Sequence, residues 1–593
     1  MISLGKLVRA VGLATALAVS NPAQSGGLMP WGPASTHSAN GCVTTEELGN
    51  AKRAVDTYAR TTGMLTSPTA ASSLPFFPLA GRPGRDIFAW YYADLDPTSG
   101  IHDFRCTPFT YDGHDATDAC LRSFGEMDVG MPIFAAGDGR VIAVDDGHPD
   151  RNTAGNLQPN NYVVIDHGNG RVCYYWHMRR GSVLVAPKQL VRAGDQIGMC
   201  GSSGHSSFPH LHFSVYENGV PVEPHSGACQ PSTTRWLWQP EWQENSAVWD
   251  CGITRTDPTS VLPYPERGPS GGQIALSDPY FYFWAELVNQ PANSTWRARF
   301  KRPDNSIAYE SAVTPFNPAY YYRWWVWYWR FDVPDLHSIP GTWTFELELN
   351  GSKHVTAPFE VTIAYDQNLN HAPEPITLSL DPVAPTGNDP ITCKVATDLL
   401  VDDKDYDLVR FRYEWRVNSI LVRDVTSAAH SDVLAAGQFV AGNQIQCRVT
   451  PTDGKQNGAR VTVSTTATPP FWADLGYSKA GTNGAPALSG VGVLLENEHC
   501  QWILTQAQPN ASGVFVFNVL RADIPILGGV LVPDPNGVVI VPIGMDATGS
   551  ARVILTAPLG LPSSIDTFFQ CWVLDTTASF GVAASNALHG KTL

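Results

Sequence analysis

Tyr111-Asp112-Gly113-His114-Asp115-Ala116-Thr117-Asp118, Tyr174-Tyr175-Trp176-His177 and Pro209-His210-Leu211-His212-Phe213 lie within one stretch that decides how this chain folds. In a β-strand, residues i, i+2 and i+4 face one side. A strand over 209–215 therefore turns His210 and His212 into one groove. His114 and Asp118 stand four residues apart and can converge from a strand or a turn, while Tyr175 and His177 share a strand face. One carboxylate and several imidazoles are the ligand chemistry of a catalytic zinc site, which takes three protein ligands and leaves a fourth position for water.

Working outward, the neighbouring sequence is β in pattern. Pro132–Ala136, Gly139–Val144, Tyr162–Ile165 and Gln196–Met199 are short apolar runs separated by Gly and Asp/Asn turns, and Leu211–Tyr216 follows. Such runs predict a folded antiparallel sheet. Upstream, Thr44-Thr45-Glu46-Glu47 reads as a helix start, with Leu48, Ala51, Val55, Tyr58 and Ala59 at helical spacing to about Arg60. This scaffold helix is expected to pack on the domain and carries no evident chemistry.

The stretch from about Phe76 to Pro224 resembles the lysostaphin-type (LytM-like) zinc metallopeptidases that cleave peptidoglycan. The matching residues are Gly-His114-x-x-x-Asp118, Ala136-x-x-Gly139-x-Val141, Ile165-x-His167-Gly168-x-Gly170, Tyr175-x-His177, Gly194-x-x-Ile197-Gly198 and Pro209-His210-Leu211-His212-Phe213. The resemblance implies that His114, Asp118 and His212 bind one Zn²⁺. It implies that His177 and His210 are catalytic without being ligands, and that Tyr175 shapes the site. Two departures are small: Ala116 stands where the family has Gly, and Met178 where Leu is usual. Which imidazole acts as base stays open. His102, His148, His205 and His225 read as structural or surface residues, and His167 as part of a turn.

The implied activity is that of a zinc metalloendopeptidase hydrolysing peptide bonds of bacterial cell-wall peptidoglycan through a zinc-activated water. Two alternatives are a non-catalytic wall-binding or adhesion protein, and a peptidase of Gly-rich proteins. Composition fits an exported, β-rich chain. Charged residues are only 16% and the formal charge is −16, which argues against nucleic acid as a partner and gives no attraction to anionic membranes. Lys6, Arg9 and the apolar run Val11–Val19 read as a signal peptide over residues 1–23, giving a secreted (periplasmic or extracellular) protein. No later run is long enough to span a bilayer.

A chain of 593 residues exceeds one core. The expected order is a linker and scaffold helix over 24–75, the peptidase domain over 76–229 and a linker over 230–272. A β-sandwich over 273–364, an immunoglobulin-like domain over 370–468 and a β domain over 471–593 follow. The fold class is mainly β and multidomain. Cys393, Trp415 and Cys447 have the spacing of an immunoglobulin-like sandwich, without its tyrosine corner because Ile445 stands there.

Of eleven cysteines, Cys393–Cys447, Cys500–Cys571, Cys229–Cys251, Cys173–Cys200 and Cys106–Cys120 are the expected pairs. Cys42 is left over, and no residue of the N-terminal segment has a clear reason to occupy the zinc's fourth position. The aromatic run Tyr320–Trp329 places one face in a core. The other, with Trp324–Trp329, binds glycan or, as the favoured reading, packs on a neighbouring domain. Asp402–Asp407 reads as a solvated acidic turn, not a calcium site.

Overall fold

The computed structural model describes residues 23–28, 42–65, 73–153, 158–232, 234–260, 266–316, 321–397 and 400–592. The expected signal peptide lies outside them, save Ala23, which opens the strand Ala23–Leu28. The chain is mainly β, with 44% strand and 6% helix.

The peptidase region is built on a main antiparallel sheet, beside which Pro132–Phe134 pairs with Gln196–Met199 in a separate two-stranded sheet. The strands of the main sheet are β1 (Ile87–Tyr91), β2 (Ala116–Leu121), β3 (Gly139–Asp145), β4 (Tyr162–Asp166), β5 (Arg171–Trp176), β6 (Leu190–Val191), β7 (His210–Glu217) and β8 (Val220–Val222). They run in the order β1-β2-β7-β5-β4-β3-β6, and β8 pairs with β7. Two registers matter most: His212 lies opposite Asp118 on β2 and opposite Trp176 on β5. Residues directly opposite across a ladder share a face.

One face buries the main core, including Leu121, Val141, Val163, Ile165, Tyr175, Leu211, Phe213 and Val215. The other carries Trp176, Tyr174, Tyr216 and Val164, which pack against Ala51 and Tyr58 of helix α1 (Thr45–Thr61). The helix starts where sequence puts its cap. Thr44 accepts the Glu47 N–H, and the Glu47 carboxylate accepts the Thr44 N–H at 3.0 Å, a capping box that satisfies two end donors. The other end is tied down where Leu65 N donates to Asp166 Oδ2 at 2.7 Å.

The Ala247–Thr254 strand, in a stretch expected as linker, pairs with Phe281–Gln290, which pairs in turn with Tyr322–Phe331. The aromatic strand divides as a two-faced strand must. Trp325 and Trp329 enter the sandwich core. Trp324 packs with Phe88 and Trp90 of the peptidase region, its ring 5.4 Å from that of Trp90. The second face is thus a domain contact.

The segment holding Trp415 forms two sheets of three and four strands, and Trp415 lies opposite Cys447 in the ladder and in one core with Cys393. The disulfide pairs expected from sequence require correction. Cys106 is bonded to Cys229, and among the described residues the other nine cysteines are free. Cys393 with Cys447, and Cys500 with Cys571, share cores as thiols. The acidic turn also differs from its solvated reading. Asp402 pairs with Arg85 and with His430 (3.1 Å), Asp405 with His371 (2.9 Å), and Asp403 is fully buried.

Candidate metal centre

The site lies at the end of the sheet, on the face that helix α1 covers. His210 and His212 project from β7, Asp118 from β2, and His114 from the turn just before it. All are buried, at 2% or 3% exposure. His114 Nε2 is 3.2 Å from Asp118 Oδ2 and 3.4 Å from His212 Nδ1. Asp118 Oδ1 lies 2.9 Å from His212 Nδ1 yet makes no hydrogen bond, leaving a buried carboxylate oxygen without a partner. Such an orphan among imidazole nitrogens fits a cation between them.

The outer nitrogens fix which atoms face inward. His114 Nδ1 is 2.7 Å from the Tyr92 carbonyl, which can only accept, so Nδ1 carries the proton and Nε2 is the ligating atom. His212 Nε2 is 3.2 Å from Asp115 Oδ1, leaving Nδ1 to ligate. Asp115 also accepts from the Tyr216 hydroxyl. A carboxylate behind a ligating imidazole is the usual second support of a metal site. The spacing of His114 and Asp118 does not single out Asp115, whose role follows from the tertiary contact with His212.

His177 and His210 stand side by side, ring centres 4.4 Å apart. His177 Nδ1 is 2.7 Å from the Ser203 carbonyl and His210 Nδ1 3.0 Å from that of Phe208, so each presents a bare Nε2. Both Nε2 atoms are buried without a hydrogen-bond partner. His177 follows the last residue of β5 with φ 59°, a left-handed conformation that costs a non-glycine residue about 1–3 kcal/mol and turns its ring to the site.

The sequence profile of peptidase family M23 matches residues 124–224. Residues 124–224 are an M23 (LytM/lysostaphin-like) peptidase domain. The Vibrio cholerae peptidoglycan DD-endopeptidase ShyA is 35% identical over 109 residues, covering 18% of this chain and 21% of its own. ShyB of the same species is 34% identical over 153 residues, covering 25% and 32%. The DD-carboxypeptidase/endopeptidase Mpg of Neisseria meningitidis is 43% identical over 68 residues, covering 12% and 15%. The matches thus span a third or less of these relatives' length.

The matched stretch of the M23 domain holds His177, His210 and His212 but begins after His114 and Asp118. Those two join the site through the β2–β7 register and the distances above. Tyr175 does not. Its side chain points into the opposite core, where its hydroxyl accepts the Ala136 N–H at 2.9 Å. The sharp turn at His177 breaks the strand alternation that made the two residues look co-facial. The tyrosine that reaches the centre is Tyr111, its ring 4.4 Å from that of His114.

Cys42 is the second residue that sequence passed over. Its Sγ is 3.1 Å from His212 Nδ1 and 3.4 Å from the Tyr111 hydroxyl. Ligand atoms of Cys42, His114, Asp118 and His212 all lie within 4.8 Å of one another, a group that can hold a metal ion, and so do those of Cys42, His177 and His210.

Charge at the centre follows from this crowding. Burial raises the Asp118 carboxyl, but the charges of His114 and His212 and the contact with His114 together outweigh it and hold Asp118 far below its ordinary range. Burial lowers His114, yet Asp118 lifts it to about 10. Burial and the charge of His210 both lower His177. Burial raises the Cys42 thiol, and the charge of His212 together with the neighbouring His114, His177 and His210 more than reverses this.

Proposed function

We propose that this protein is a zinc metalloendopeptidase that hydrolyses peptide bonds of peptidoglycan. The observation that carries the reading is the buried trio of His114 Nε2, Asp118 and His212 Nδ1, in which each imidazole is held by an outer partner and the two converge on the Asp118 carboxylate with its orphaned oxygen. Two imidazole nitrogens and one carboxylate form the donor set of a three-ligand zinc site. Bound there, zinc supplies Lewis-acid polarisation of the scissile carbonyl and a nucleophile at neutral pH.

The remaining steps belong to side chains. The Nε2 atoms of His177 and His210 face the trio with their Nδ1 protons fixed on carbonyls. Each can therefore take or give one proton at Nε2 without turning its ring. Asp115 keeps His212 in the ligating tautomer. The relatives named as DD-endopeptidases make cross-linked wall peptides the first substrate to test.

The test is zinc content and peptidoglycan digestion for the purified chain, His212→Ala and a chelated sample, with the cleaved bond identified by product mass. Loss of both zinc and cleavage in His212→Ala is expected. Cleavage that survives there and under chelation would overturn the zinc mechanism. Wall binding without cleavage in any sample would instead indicate a binding module.

A further inference from the structure

Cys42 belongs to no catalytic role given above, and its position is more tightly determined than that of a chance neighbour. One sulfur lies within 4.8 Å of ligand atoms from both groups, the trio on one side and the imidazoles of His177 and His210 on the other. The nucleophile and the scissile carbonyl must enter the space between these groups. The residue is 2% exposed, and Tyr111 and His212 enclose its sulfur. The two Nε2 atoms that have no hydrogen-bond partner border the same space.

What holds Cys42 there is the start of helix α1. Glu47, besides closing the capping box, accepts from Asn160 through both its backbone N–H and its side-chain amide, each at 2.8 Å. Asn160 adjoins Asn161, whose amide donates to the Met178 carbonyl at 2.9 Å, directly beside His177. The cap is therefore tied to the wall of the site five residues from Cys42. Along the helix, Ala51 and Tyr58 bury into the β5–β7 face, and Lys52 Nζ lies 5.0 Å above the Tyr216 ring. The segment 42–65 is a strap across the site, anchored at both ends.

Thiolate sulfur is a common zinc ligand, and a fourth protein ligand closes a site that needs an open position for catalysis. We propose that Cys42 is an inhibitory fourth ligand of the metal, so that the strap holds the peptidase latent until Cys42 is withdrawn. This rests on the zinc reading above. It makes the helix a regulatory element that stores the active site in a closed form, as pro-segments do when their removal releases an enzyme.

The test uses the full chain loaded with Co²⁺, whose bonds to thiolate absorb in the near ultraviolet. The expected result is one cobalt per chain with a thiolate charge-transfer band in wild type. In Cys42→Ser and Cys42→Ala the cobalt stays and the band disappears. With zinc, both variants should cleave peptidoglycan at least about tenfold faster, because a site open a tenth of the time loses that factor in apparent affinity. Cobalt bound without the band in wild type overturns the proposal and leaves the zinc reading standing. Cleavage that falls in both variants also overturns it, since Cys42 would then serve the reaction. Failure of every form to bind cobalt overturns the zinc reading and this proposal with it.

Discussion

His212 and Asp118 face each other across two antiparallel strands, with Nδ1 and Oδ1 2.9 Å apart, while the other nitrogen of His212 rests on Asp115. One imidazole thus couples an inner carboxylate to an outer one. Asp115→Asn keeps the volume but removes the charge that favours the ligating tautomer. Zinc affinity should fall about 10–100-fold, the usual effect of losing such a partner. A competition titration against a chelator of known affinity reads this directly, and an unchanged affinity would remove Asp115 from the site.

Tyr175 should behave as a core residue. Tyr175→Phe leaves the buried Ala136 N–H without its acceptor, which costs about 1–3 kcal/mol. Urea unfolding should show that loss, while cleavage per folded molecule stays at the wild-type level. A selective fall in turnover with unchanged stability would return Tyr175 to the site.

The contrast between Tyr175 and the histidines marks what was legible in the sequence. His210 and His212 were readable because strand alternation is local, and β7 obeys it. The spacing of His114 and Asp118 was readable too, although β2 begins between them at Ala116. Local rules fail at His177, whose positive φ shifts the ring off the face that counting assigns. They also fail for partners set by tertiary contact. Cys106 joins Cys229 across 123 residues, and Cys42 meets His212 across 170. No spacing encodes either meeting. The pairing of Asp402 was hidden for the same reason, because its partner Arg85 lies in the peptidase region.

Breaking the Cys106–Cys229 bond should loosen the edge that leads into His114. The loop is also held by the Cys229 N–H on the Phe104 carbonyl at 2.9 Å and by the Asp103 turn, so the double Ala variant should still fold. A cross-link closing so long a loop contributes about 2–5 kcal/mol. Thermal unfolding should report a loss in that range, and hydrogen exchange should place the new opening at residues 103–110. Equal stability of the variant would show that the hydrogen bonds suffice.

The contact between the segment holding Trp415 and the peptidase region should respond to pH through His430. Its Nδ1 is 2.5 Å from Asp86 and its Nε2 3.1 Å from Asp402, with Arg85 on Asp402 and the charge of Arg122 acting on both carboxylates. Burial lowers His430, but Asp402 and Asp86 outweigh it and raise the folded value. Burial raises Asp86 and Asp402, and His430 reverses this. A raised histidine binds its proton more tightly when folded. Its contribution is complete below the unfolded value of about 6.5 and is lost as pH rises through the folded one. The depressed carboxylates contribute above about 3.9 and lose that contribution as pH falls through their folded values. Stability should therefore be highest between these limits and decline on the alkaline side. His430→Gln should flatten the alkaline decline and lie furthest below wild type near pH 6, because it leaves the Asp86 and Asp402 carboxylates facing a neutral amide. Melting curves of both proteins across pH check this, and parallel curves would exclude His430 as the titrating group.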